Sequence, residues 1–91
     1  MNASEAFAER TIEIETLALR LDRLIDRRAR QVGEVEELQQ IIERRHREGQ
    51  SAASLSSDIT FHLRSIRSRE KEIADLLDRI EVLVTEGQSR A

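Results

Sequence analysis

The apolar residues of this chain recur at seven-residue spacing in two runs separated by a serine-rich break, and few folds can use such a pattern. Phe7, Ile14, Leu21, Val35 and Ile42 occupy one heptad position of the first run, with Leu17, Leu24 and Leu38 three residues further on. Ile59, Ile66, Ile73 and Ile80 do the same in the second run, with Leu76 and Leu83 as companions. Residues so spaced form a narrow stripe along an α-helix, and another helix is what covers a stripe of that width. The spacing predicts an all-α protein built from two long helices packed as in a coiled coil.

Composition points the same way. Ninety-one residues make one small domain, and with 36% charged and 2% aromatic residues there is little material for a globular core. Proline is absent and glycine occurs three times, which suits long helices and disfavours sheet. The chain has no cysteine, so it carries no disulfide, thiolate metal site or catalytic thiol, and a reducing compartment fits. No apolar block approaches the roughly 20 residues that cross a bilayer, and the N-terminus has no signal-peptide block. The expectation is a cytoplasmic protein with no membrane partner.

Asn2 and Glu5 have the spacing of a capping box, so helix one is expected over about 3–47. Charge then disappears through Gly49, Gln50, Ser51, Ala52, Ala53, Ser54, Leu55, Ser56 and Ser57, which marks a turn over about 48–56. Gly49 suits a helix C-terminus, and the serines offer caps for a second helix over about 57–86, with Gly87 as its stop and 87–91 frayed. The whole chain, 1–91, then reads as a single antiparallel helical hairpin. One unbroken helix in a parallel dimer is the alternative; it needs a shift of heptad phase across the break, which the hairpin avoids.

Folding back at Gly49 sets Leu38 beside Ile59, Leu24 beside Ile73, Leu17 beside Ile80 and Ile14 beside Leu83. The same register levels Arg28 with Arg69, a polar layer in otherwise apolar seams, and carries Phe7 and Ile12 past the end of helix two. Next to the seams runs a second apolar row, Ala18, Ile25 and Val32 on helix one and Leu63, Leu77 and Val84 on helix two. The opposite flank carries Glu13, Arg20, Arg27 and Glu34, then Asp58, Ser65, Glu72 and Arg79. Three apolar positions per heptad usually signal a four-helix bundle, so the hairpin is expected to dimerise or to pack on another helical protein.

No reaction is legible. His46 and His62 match no metal-ligand spacing, and no nucleophile–base set or phosphate-binding glycine loop is present, so no catalytic, cofactor or metal residue is expected. The stretch from Leu19 to Gln40 is similar to the opening helix of dimeric helical chorismate mutases, but Gln39 and Gln40 stand where that family carries a lysine. The turn after Glu48 resembles that of small type VII secretion substrates, with Arg47 in place of their tryptophan. It resembles type III secretion needle subunits in layout, without their turn proline.

The expected function is therefore protein–protein interaction, as an adaptor, inhibitor, chaperone or assembly subunit. The interface would comprise the seam residues Ile14, Leu17, Leu21, Leu24, Val35, Leu38, Ile42, Ile59, Ile66, Ile73, Leu76, Ile80 and Leu83, with Ile25, Val32, Leu63, Leu77 and Val84 beside them. The alternative is a nucleic-acid-binding hairpin dimer. Fourteen of the fifteen basic residues are arginine, and Arg44, Arg45 and Arg47, with Arg64 and Arg67 from helix two, would contact phosphate. The flanking Glu43 and Glu48, which dilute the charge, and the lack of an aromatic residue beside that run for base stacking weigh against it. Asp26–Arg30, Glu43–Arg47 and Asp75–Arg79 have the spacing of within-helix ion pairs.

Overall fold

The computed structural model describes residues 3–89, and these form two α-helices and no strand: α1, Ala3–Arg47, and α2, Ala53–Ser89. The Asn2 cap and the last two residues lie outside the described residues. Helix α1 runs unbroken through Gly33, whose neighbours are strong enough helix formers to carry the roughly 1 kcal/mol it costs relative to alanine.

The end of α1 is a Schellman turn. Gly49 sits in the left-handed region at φ +71°, which only a residue without Cβ adopts freely. Its N–H donates to the His46 carbonyl at 3.1 Å, and the Gln50 N–H donates to the Arg45 carbonyl at 2.8 Å. These are the two bonds that satisfy the last carbonyls of a helix as the chain turns away. Arg44, Arg45, His46 and Arg47 fill the final turn, where positive charge complements the helix dipole.

Helix α2 starts earlier and ends later than the spacing of its serines and Gly87 suggests. It begins at Ala53 because Ser51 Oγ accepts from the Ala53 N–H at 3.5 Å, while Ser56 Oγ turns back onto the Ala52 carbonyl at 3.3 Å and is tolerated inside the helix. The turn is thus confined to residues 48–52 rather than 48–56. At the other end α2 continues through Gly87 to Ser89, and a Cβ placed on Gly87 would stand 3.1 Å from Arg10 Nη1. Gly87 is a site of close approach by the Arg10 side chain rather than a stop. Phe7 accordingly flanks the last turn of α2, sharing a groove with Gly87 and Gln88, instead of projecting beyond it.

The chain divides into two compact units. The first pairs residues 3–25 of α1 with residues 71–89 of α2. Its helices are antiparallel, since Glu13 meets Arg79 and Arg20 meets Glu72. Leu24, Leu76 and Leu83 are buried, and Ile14, Leu17, Leu21, Ile73 and Ile80 are half-buried along the same seam.

The second unit, Asp26–Glu70, is a complete helical hairpin with the turn inside it. Val35 and Ile66 are its buried apolar residues, with Leu38, Ile42, Leu55 and Ile59 half-buried. Its polar layer is satisfied internally: Arg28 Nε donates to Glu70 Oε1 at 3.0 Å, and Arg69 Nη1 donates to Gln31 Oε1. Each arginine of the layer has its own acceptor across the seam.

Candidate protein interface

In the first unit the two flanks of the helix pair differ in kind. One is closed by ion pairs between the helices. Arg79 Nη2 and Nε both reach Glu13 Oε1, at 3.0 and 3.3 Å, and Arg20 Nη2 stands 3.7 Å from Glu72 Oε2. Arg79 thus reaches across to the other helix instead of pairing down its own helix with Asp75. These are exposed pairs, each worth at most about 1 kcal/mol, but they leave this flank with its charges matched.

The other flank carries Ala18 and Ile25 from α1 and Leu77 and Val84 from α2. All four are exposed, with Ile25 at 47%, Leu77 at 50% and Val84 at 42%. They stand one position beyond the seam, because heptad spacing on an antiparallel pair brings the same flank of both helices to one side. In the second unit the corresponding residues are Leu63, 43% exposed, and Val32, half-buried.

Among the described residues no side chain is fully buried, and only five apolar residues count as core. The chain exposes 7076 Å². A folded monomer of its 10.5 kDa mass is expected to expose about 5400 Å². The surplus, about 1600 Å² on this one chain, is about twice the roughly 800 Å² that each partner contributes to a standard protein–protein interface. It arises because each helix of a two-helix pair is covered along one stripe only.

Four exposed apolar residues lie outside the rows the heptads define: Ile12, Leu19, Phe61 and Val82. Their only signal in the sequence is an apolar residue on an otherwise polar helix face. Val82 lines a shallow groove of about 380 Å³ with Asp78, Glu81, Thr85 and Glu86. All five lie on one helix, so the groove is open surface rather than a cleft. A second groove, about 320 Å³, runs past Phe7, Arg10, Ile14, Leu83 and Gly87 in the first unit.

The arginine-rich tip is less concentrated than its sequence. Arg44 and Arg47 are exposed, but Arg45 is half-buried and its Nη1 donates to the Ser51 carbonyl at 3.5 Å, so it braces the turn. Arg64 and Arg67 follow Ala53 by eleven and fourteen residues on α2. At 1.5 Å per residue that is roughly 16 and 21 Å along the helix, out of reach of the tip.

His62 sits in the seam of the second unit with Nδ1 3.6 Å from Glu34 Oε2, just beyond hydrogen-bond reach, and its ring meets Phe61 edge-on with centroids 5.8 Å apart. His46 is exposed on the last turn of α1. No three His, Cys, Asp or Glu side chains converge to hold a metal ion among the described residues. No described helix is long and apolar enough to cross a membrane. Neither a family model, nor a curated protein, nor a solved structure matches the chain.

Proposed function

We propose that this chain is a non-enzymatic protein–protein interaction module, a small cytoplasmic adaptor, inhibitor, chaperone or assembly subunit that offers an apolar helical flank to another helix. The observation that carries the reading is the contrast between the flanks of the first unit, one matched by ion pairs and the other left with Ile25, Leu77 and Val84 in water. Five buried apolar side chains do not offset the conformational entropy of ordering a chain of this length, so coverage of that flank is part of what makes the fold stable. In the isolated protein the simplest coverage is a second copy, giving a four-helix bundle.

The test is sedimentation of the wild type beside Ile25→Asp and Leu77→Asp. Association should be lost in both variants, because a carboxylate in an apolar interface is desolvated without a partner. A wild type that stays monomeric, helical and cooperatively melting at micromolar concentration would refute the four-helix bundle and the dependence of the fold on coverage of that flank. Nucleic-acid binding through the tip is the weaker reading, since Arg45 is engaged by the turn and Arg64 and Arg67 stand apart from it. It requires affinity that falls steeply with salt and is lost in Arg44→Ala/Arg47→Ala.

A further inference from the structure

Charge decides what best covers the apolar flank of the first unit. Along α1, Glu15 and Asp22 each lie three or four residues from Ala18, and Asp22 lies three before Ile25. Along α2, Glu81 lies four residues after Leu77 and three before Val84. Residues at these separations are neighbours on a helix surface, and on this side they form the outer edge, with the seam on the other. All three carboxylates are exposed and have no ion-pair partner among the described residues, whereas Glu13 and Glu72 on the opposite flank are matched by arginine. The strip is therefore greasy in the middle and uncompensated negative along both edges.

From this we infer that the flank takes an amphipathic helix of a different protein, one whose apolar face is bordered by lysine or arginine. The inference rests on the reading of the flank as an interface and adds the chemistry of its occupant. A helix fits because the groove between two antiparallel helices is the seat of a third. A second copy fits less well: a two-fold packing of strip on strip brings together edges that each carry unmatched carboxylates, Glu15 and Asp22 on one and Glu81 on the other, and like charges across an interface select against a partner. An anionic membrane surface or a phosphate backbone meets the same repulsion.

The experiment measures binding of the full chain to two synthetic four-heptad helices that share one Leu/Ile face and differ only in Lys or Glu along its borders. Three exposed pairs of ordinary strength give the Lys helix an advantage on the order of tenfold in low salt. That advantage should vanish in 1 M NaCl, while self-association of the chain tightens as the carboxylates are screened. The triple variant Glu15→Lys/Asp22→Lys/Glu81→Lys should prefer the Glu helix, and Glu15→Gln/Asp22→Asn/Glu81→Gln should show no preference; circular dichroism checks that both remain helical.

Equal, salt-insensitive binding of the two helices overturns the inference and leaves apolar docking standing. Binding of neither, with self-association still lost in Leu77→Asp, overturns it in favour of a second copy. Insensitivity of every association to Ile25→Asp and Leu77→Asp removes the underlying interface as well.

Discussion

Replacing Gly49 by alanine separates the hairpin from a continuous rod by the sign of a single stability change. In the structure Gly49 has φ +71°, and an added Cβ would meet nothing within 4 Å, so the whole penalty is backbone strain. Holding an L-residue in the left-handed region costs roughly 1–2 kcal/mol. Alanine also has less unfolded-state freedom to lose, which offsets about 0.4–1 kcal/mol. The net expectation is a destabilisation of about 1 kcal/mol, or a melting temperature lower by about 4–8 °C. If α1 ran straight into α2, the same substitution would replace a helix-interior glycine and stabilise by about 1 kcal/mol.

Gly33→Ala supplies the internal control. Gly33 is inside α1 with open space around its Cβ position, so alanine there should stabilise by about 0.5–1 kcal/mol. Thermal and urea unfolding followed by circular dichroism, at one fixed chain concentration because association couples to stability, measures both. Gly49→Ala melting above wild type, in the same direction as Gly33→Ala, would refute the turn and with it the antiparallel pairing.

Other perturbations probe the packing more locally. Leu83 is 4% exposed in the first unit, and Leu83→Ala should cost about 2–3 kcal/mol in urea unfolding, toward the lower end for a buried leucine because the seam is narrow. A loss under about 1 kcal/mol would mean that this end of α2 is not docked. A double-mutant cycle with Glu13→Gln and Arg79→Met should give a coupling of about 1 kcal/mol or less that fades in 1 M NaCl, the behaviour of an exposed pair; a large, salt-independent coupling would place the pair in a buried environment instead. Ser51→Ala should move stability by no more than about 0.5 kcal/mol, because the cap it removes is long at 3.5 Å, and a larger loss would show that Ser51 does more than cap α2.

Much of this could be read from residue spacing. The recurrence of Ile59, Ile66, Ile73 and Ile80 names a helix and its inward stripe together, since helical geometry converts a period of seven into a direction. Gly49 was equally legible, because a lone glycine at the end of a basic helical turn has few other uses. Boundaries were not. Ser54, Ser56 and Ser57 look like caps in isolation, yet Ser56 bonds back to Ala52 inside α2, and Gly87 looks like a terminator but instead sits under the Arg10 side chain. Both outcomes depend on atoms several residues away or on the other helix.

By itself, then, the order of residues determined two helices, their apolar stripes, and the flank on which Ile25, Leu77 and Val84 gather, because these follow from periodicity along one chain. Only the tertiary arrangement decided which charges are matched. Arg79 chose Glu13 over Asp75, Arg28 took Glu70 and Arg69 took Gln31, while Glu15, Asp22 and Glu81 found no ion-pair partner among the described residues. The reason is physical: a long side chain has several partners within reach along its own helix, and the position of the second helix selects among them.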